Sequence, residues 1–480
     1  MSAKWLIAAI LFPAVMGALV PVFGIKERKA VRLYTGAATI LTSVFVWVLI
    51  LAASYEGCTL IEFTHNFTFF LRFDGLGRFF AVIIATLWPL TVLYGFEYMK
   101  NDPRQHVFFA FFLISFGATL GIAMSGNLFT LYCFYELLTL STAPLVMHTD
   151  TDEAIRAARK YFTFSIGGAA IALLPVLYLT IGAADKYSET VTQWFYVFGF
   201  FGFGVKAAIF PLHRWLPKAS VAPTPVTALL HAVAVVKSGV FAIIRLTWCC
   251  YGTAQLAGTF AQYIPMVFVL LTILYGSVKA VRETHWKRRL AYSTVSNLSY
   301  ILFGVLLMTE QGLKAGLLHM LFHAEIKILA FFAAGAVLHM TGRTYIQELD
   351  GLGRRMPATC ACFTAAALAL TGIPPFCGFI SKWNLLSAGA ETGTPAGYIG
   401  AGMIILSALL TAIYMFTTVR RMYFPDRNLD LAELKKVQEA SAWMWAPMVI
   451  LAISLLLTGL LAGRILDVIQ KITSGLVPWM

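Results

Sequence analysis

Residues 316–332 read GLLHMLFHAEIKILAFF. The segment is apolar enough for a bilayer, yet it carries His319, His323 and Lys327 at i, i+4 and i+8. At 3.6 residues per turn these side chains fall on one helical face. A charge at mid-bilayer costs about 2.5–3.5 kcal/mol even on the lenient insertion scale, so such a row faces a bundle interior and marks a function. Histidines that merely bonded to neighbouring carbonyls would not need the lysine that completes the row. Glu325 points to another face of the same helix.

The rest of the chain has the same character. Of its 480 residues, 59% are hydrophobic and 12% charged, against about half and a quarter in soluble domains. A soluble enzyme is thereby excluded. Cutting at every Asp, Glu, Lys and Arg leaves eleven charge-free runs of 18 residues or more, the length that crosses a ~30 Å hydrocarbon core. Three further stretches, around Glu136, Lys206 and Lys327, span if one internal charge is accepted. Bilayers admit only helices or closed barrels, and the ten-residue alternation of barrel strands is absent. The fold class is therefore all-α and polytopic, with about fourteen transmembrane helices. The first 24 residues, with Lys4 before an apolar stretch and Gly17 and Ala18 inside it, have the features of a signal peptide. With thirteen helices following, they read as a retained first span.

A net charge of +13 would point to nucleic acid in a soluble protein; here its placement matters more. Loops after odd-numbered spans carry 24 of the 36 Lys and Arg residues, Lys287 and Arg289 among them, and the opposite face carries seven. The positive-inside rule puts both termini outside the cytoplasm. The remaining five, Lys206, Lys237, Arg245, Lys327 and Lys382, fall inside predicted helices. None of the seven cysteines sits in a metal-ligand spacing, so they read as packing residues. Dinucleotide, P-loop and iron–sulfur motifs are missing. The chain is expected to hold no cofactor and to bind no nucleic acid.

Glu136, in LYCFYELLTLSTAPL (131–145), has no basic residue within reach on its own helix, so its partner comes from another span. In FGFGVKAAIFPLHRWLP (201–217), Lys206 follows Gly202 and Gly204 and precedes Pro211 and Pro217. The helix is predicted to unwind about a turn beyond the lysine. His231 and Lys237, six apart in the next span, do not share a face. TGIPPFCGFISKW (371–383) repeats the broken helix with Lys382. Two interruptions at matching places predict two inverted five-helix repeats, with discontinuous seventh and twelfth helices. Spans 1–3 occupy residues 1–105, the repeats 106–250 (spans 4–8) and 251–424 (spans 9–13). A cytoplasmic linker helix, span 14 and a short tail fill 425–480. The linker helix is read from PDRNLDLAELKKVQEA, with Asn428 as cap and Leu431, Leu434 and Val437 at helical spacing.

Five segments carry a resemblance that covers nearly the whole chain: FYELLTLS (134–141), VKAAIFPLHRWLPKASVAPTPVTALLHAVAVVKSG (205–239), KRRLAYSTVSNLSY (287–300), HMLFHAEIK (319–327) and GIPPFCGFISKW (372–383). Together they resemble the antiporter-like membrane subunits shared by respiratory complex I, membrane-bound hydrogenases and Mrp-type sodium/proton antiporters. The resemblance implies that Glu136 and Lys206 form a functional pair. It further implies that Lys237 and His231 relay in the eighth span, that His319, His323 and Lys327 form the central relay, and that Lys382 ends it. FDGLGRFF (73–80) resembles the family's entry to the third span, with no role derivable for Asp74. Lysine at 382, where some complex I chains have glutamate, is similar to hydrogenase, Mrp-type and other complex I chains. With only residues 464–480 beyond the last span, the chain resembles a compact member.

The function this implies is proton translocation within a redox-driven complex of the complex I or hydrogenase type. Iron–sulfur, flavin or nickel–iron centres would belong to partner subunits. The other partners would be membrane subunits, including further antiporter-like chains, peripheral redox subunits and lipid, in the cell membrane. Protons would enter from the cytoplasm, load Lys206, pass Lys237, His231 and the 319–323–327 row, and leave from Lys382. Glu136 would switch Lys206 by approaching or withdrawing. The alternative is a subunit of an Mrp-type Na+/H+ antiporter driven by ion gradients; relatives also serve bicarbonate or CO2 accumulation. A static scaffold is a different class, and interior bases outnumbering the interior acids Glu136 and Glu325 argue against it.

Overall fold

The computed structural model describes residues 4–52, 57–182, 187–425 and 431–479. Crossings one to six are α1 (Lys4–Val22), α2 (Arg28–Leu51), α3 (Gly75–Tyr98), α4 (Gln105–Ala123), α5 (Leu128–Val146) and α6 (Asp152–Thr180). The seventh begins as α7 (Glu189–Gly204), unwinds, and resumes in the short α8 (Leu216–Ala219). The eighth is split into α9 (Thr224–Ala232) and α10 (Val235–Ile244), then widens into a π-type turn over Arg245–Tyr251 before α11 (Thr253–Leu256). Crossings nine to eleven are α12 (Phe260–Arg282), α13 (Trp286–Leu306) and α14 (Glu310–Thr341). The twelfth is α15 (Pro357–Thr371) followed by α16 (Cys377–Glu391), and the thirteenth is α17 (Pro395–Tyr423). After α18 (Leu431–Lys436) come α19 (Ala442–Leu460), the fourteenth crossing, and α20 (Ala462–Ser474).

Eleven of these stretches are long and apolar enough to span by themselves. Crossings seven, ten and twelve complete the fourteen, being short where broken or, in α13, led by Lys287, Arg288 and Arg289. The protein is a multi-pass membrane protein. Helix α4 packs on α5, α5 on α6 and α6 on α7; five crossings later α12 packs on α13, α13 on α14 and α14 on α15. An odd offset reverses chain direction, so equivalent helices of the two series run oppositely, as the paired interruptions predict. Helix α14 is buried along most of its length and touches α3, α9, α13, α15, α16, α19 and α20.

The breaks differ from expectation in place and number. Helix α7 stops at Gly204, before Lys206 rather than a turn after it, and Ala208 adopts φ 58°. The carbonyl of Val205, which a continuing helix would have used, accepts a hydrogen bond from Trp215 Nε1 at 2.8 Å. Helix α10 passes so close that a Cβ on Gly239 would sit 2.6 Å from Ala207 N and 2.9 Å from Lys206 Cβ. In the twelfth crossing Gly372, at φ +92°, ends α15. A third break lies in the eighth crossing, where the N–H groups of Val233 and Ala234 both donate to Leu229 O at 2.9 Å. No proline or glycine announces it; packing imposes it.

Three other features depart from expectation, and the linker helix holds. A hairpin of β1 (Cys58–Glu62) and β2 (Thr68–Leu71) fills the loop before α3; it is held by Asn127 Nδ2 donating to Thr68 O (2.9 Å) and Phe70 N donating to Thr130 Oγ1 (2.8 Å). Lys287 and Arg289, assigned to a loop, are buried at the start of α13. The stretch expected as a tail is the amphipathic α20, whose Ile472 packs on Gly75. The linker helix exists as α18, with Leu434 and Val437 buried; Asn428 lies outside the described residues.

Asp74 acquires a role. It caps α3 by accepting from Gly77 N at 2.9 Å, and both its oxygens take the guanidinium of the fully buried Arg245 at 2.5 Å. The ring of Trp479 lies 4.5 Å from that guanidinium. Burial alone would push the Asp74 carboxyl up, but the Arg245 guanidinium and the Gly77 N–H hold it below the usual carboxylate range. Its contribution to stability is thus complete at neutral pH and is lost as pH falls through that lowered value. Asp74→Asn, which strands the guanidinium, should cost about 3–5 kcal/mol, read as a lowered thermal midpoint in detergent; Asp74→Asn/Arg245→Met should recover part of it. Gly239→Ala should displace the unwound segment around Lys206 and impair transport in vesicles, whereas Gly167→Ala, whose Cβ meets nothing within 4 Å, should leave transport unchanged.

Candidate functional site: a buried row of bases

Lys206, Lys237, Lys327, His231 and His323 are wholly buried, and His319 and Lys382 almost so. Each lysine has a distinct neutral partner. Lys206 Nζ donates to the carbonyl of Tyr135 and lies 3.3 Å from the centre of the Tyr135 ring, a cation–π contact. Lys237 Nζ lies 2.5 Å from His323 Nδ1, joining α10 to α14. Lys327 Nζ donates to Leu290 O at 3.0 Å and to the Ser293 hydroxyl. Lys382 Nζ donates to Leu370 O (2.5 Å) and Thr371 O (2.9 Å) and stands 5.8 Å from the Tyr300 ring. Those two carbonyls are orphans at the end of α15, where the helix dipole also favours a cation.

The histidines divide. His319 sits between Ser381 Oγ (3.0 Å from Nδ1) and Asn297 Oδ1 (3.3 Å from Nε2). Because an amide oxygen only accepts, the proton is assigned to Nε2. Its ring is 5.9 Å from that of His323. With Lys237 donating to Nδ1, His323 carries its proton on Nε2, which makes no hydrogen bond among the described residues. An imidazole so held can take a proton on one nitrogen and release the other. His231 is placed apart from this chain: neither ring nitrogen has a hydrogen-bond partner among the described residues, and the ring packs 4.9 Å from Phe331.

The structure therefore brings together Lys237, His323 and His319, and leads through Ser381 to its neighbour Lys382. Lys327 lies two turns, ~12 Å, along α14 from His319, on the half that also holds His231 beside Phe331. The expected passage from Lys237 through His231 is not the contact formed; Lys237 reaches His323 directly. Glu136 and Lys206 are not in contact either. Glu136 is half-buried on α5, its Oε1 has no hydrogen-bond partner among the described residues, and no ion pair joins it to the lysine, which instead holds the carbonyl one residue before it. Sequence reasoning missed Ser293, Asn297, Tyr300 and Ser381. The first three recur at i, i+4 and i+7 within KRRLAYSTVSNLSY, a second polar stripe facing the first. It also missed Lys287, whose Nζ donates to Ala222 O at 2.7 Å just before α9.

The profile of the NADH:quinone oxidoreductase/Mrp antiporter transmembrane family matches residues 125–411, which include every residue of the row. Relatives include NADH-quinone oxidoreductase subunit N of Desulforudis audaxviator, 31% identical over 435 residues, covering 85% of this chain and 85% of that protein. Na(+)/H(+) antiporter subunit A1 of Staphylococcus aureus is 27% identical over 98% of this chain, which spans 62% of that protein's length. Two solved structures share the fold with a TM-score of 0.85. One is a chain of the membrane-bound sulfane sulfur reductase, an archaeal respiratory membrane complex, at 24% identity and 98% coverage of both chains. The other is a chain of the Mrp complex from Dietzia sp. DQ12-45-1b, at 21% identity, covering 99% of this chain and 98% of that one. On the profile match and the 31% identity, the chain belongs to the NADH:quinone oxidoreductase/Mrp antiporter family of membrane subunits.

Proposed function

We propose that this chain is the proton-translocating, antiporter-like subunit of a redox-driven membrane complex. The observation that carries the reading is the contact series Lys237–His323–His319–Ser381 inside the bundle, with Lys382 the next residue and, like His319, near the Tyr300 ring. It consists of bases bonded to neutral groups. No member is fixed by a carboxylate, so a proton arriving at one is not trapped there. If all were charged at once, mutual repulsion in a low-dielectric interior would be prohibitive, so protons occupy part of the row at any time and exchange along it.

Both termini are assigned to the extracytoplasmic side by the basic loops. Protons then enter from the cytoplasmic half, where Lys327, His231 and Lys287 lie, or load Lys206 at the break of the seventh crossing. They pass Lys237, His323 and His319 and leave beyond Lys382. Approach of Glu136 to Lys206 would favour the charged lysine and its withdrawal the neutral one. Moving one proton against 100 mV takes about 2.3 kcal/mol, and a three-unit change in a lysine's affinity is worth about 4 kcal/mol. Electron chemistry, with any iron–sulfur, flavin or nickel–iron centre, belongs to partner subunits.

A second reading, a subunit of an Mrp-type Na+/H+ antiporter, is favoured by the Staphylococcus similarity over 98% of the chain. The transport reading is tested in inverted vesicles by following proton uptake. Lys206→Ala should abolish driven uptake and Glu136→Gln should lower it severalfold; wild-type uptake in Lys206→Ala would sink the switch. The driver is tested by purifying the tagged chain from its native membrane and identifying its companions by mass spectrometry. Subunits with iron–sulfur, flavin or nickel sites are expected; small hydrophobic subunits and further antiporter-like chains alone would establish the second reading instead.

A further inference from the structure

Glu325 is an interior acid that the row does not use, and unlike the buried Glu97, which pairs with Lys100 and Arg32, it has no basic partner among the described residues. It lies on α14 two residues before Lys327, but on the opposite side, against α19, and only 9% of it is exposed. Its Oε2 accepts from Ser454 Oγ at 3.2 Å and lies 3.3 Å from Thr458 Oγ1, whose single proton is shared with Ser454 O at 2.8 Å. No lysine, arginine or histidine among the described residues comes within ion-pair distance of it. Helix α19 contains no charged residue at all. Its two hydroxyls at i and i+4 turn to this carboxylate, while the side chains of Ile453 and Leu457 face outward. The unwound stretch between α15 and α16 meets the same junction, for a Cβ on Gly459 of α19 would overlap Pro375 O.

An ionised carboxylate left without a counter-charge in an apolar interior is very costly, and two hydroxyls offset only part of that cost. Something positive must accompany it. We propose that Glu325, Ser454 and Thr458 form a second ion site, outside the row, that holds one small monovalent cation, a proton or a sodium ion, between α14 and α19. A carboxylate and two hydroxyls are the hard oxygen donors such a cation takes, and the carbonyl of Pro375 in the broken helix lies against Gly459, one residue beyond Thr458. The site does not depend on the transport reading of the row. The groups around it leave it to itself. Cys377, at the start of α16, faces it. Lys382 is turned to the end of α15 and Lys327 to α13. His323 bonds Lys237, α15 has no charged residue, and Arg464, Asp467 and Lys471 of α20 are exposed.

The test uses the membrane-soluble reagent dicyclohexylcarbodiimide on the intact protein in vesicles, with adducts located by peptide mass spectrometry. A protonated carboxyl adds across a C=N bond of the reagent: its proton goes to nitrogen, its oxygen bonds the central carbon, and rearrangement leaves a stable N-acylurea with nothing expelled. The expected result is an adduct on Glu325 that forms more slowly as pH rises and is absent in Glu325→Gln. Thr458→Val, which removes a donor to the carboxylate, should raise labelling at neutral pH severalfold. Sodium chloride slowing the reaction severalfold relative to potassium chloride identifies sodium as the ion; equal rates identify the proton. Lys206→Ala should leave labelling unchanged, so a failure of the row reading does not touch this result. Absence of a Glu325 adduct in mildly acid wild-type vesicles, or labelling indifferent to both pH and Thr458→Val, overturns the proposal.

Discussion

A lysine ammonium inside a bilayer must donate its hydrogens to something, and a continuous helix has few acceptors to spare because its carbonyls are already engaged. That constraint shapes this bundle. Lys382 reaches the two carbonyls left free where α15 stops. Lys287 reaches Ala222 O in the turn before α9. Lys206 and Lys327 draw on second lone pairs of helix carbonyls, at Tyr135 and Leu290, each supplemented by a ring or a hydroxyl. Lys237 alone is met by another titratable base, His323. The breaks in crossings seven and twelve supply acceptors or positions that whole helices would not.

Arg245 shows what a static buried charge looks like in the same interior. It has a carboxylate on both arms, a thiol at 3.7 Å and an indole ring over its face. The scaffold role considered for all the interior charges fits this residue and the Asp74 cap it holds. The four row lysines make their hydrogen bonds to neutral groups, which stabilise a proton without fixing it. One bundle thus contains a charge pair built to stay and a set of bases built to share.

Close backbone approach is the other organising feature. Gly239 lets α10 lie on the unwound chain beside Lys206, and Gly378 lets α16 fold back against Ala369. Each glycine sits within four residues of a row lysine. A methyl group at either place would overlap backbone rather than a flexible side-chain tip, so the lysines are positioned by main chain meeting main chain. This stiffness suits groups that must stay within hydrogen-bond reach of one another.

Much of this was legible in the residues. Hydrophobic run lengths determine the fourteen crossings, because a bilayer leaves no other way to satisfy the backbone. Helical spacing determines that His319, His323 and Lys327 share a face, and glycine with proline marks two of the three interruptions. Tertiary structure decided the rest. It put a break at Val233–Ala234, where no residue type signals one, and so gave Lys237 to His323 and left His231 beside Phe331. It held Glu136 off Lys206, matched Asp74 to Arg245 across 171 residues, and turned Glu325 toward two hydroxyls of α19. Local sequence sets the period and the stops of a helix; which buried polar group meets which is fixed only when distant helices pack, because each must find its partner across the bundle.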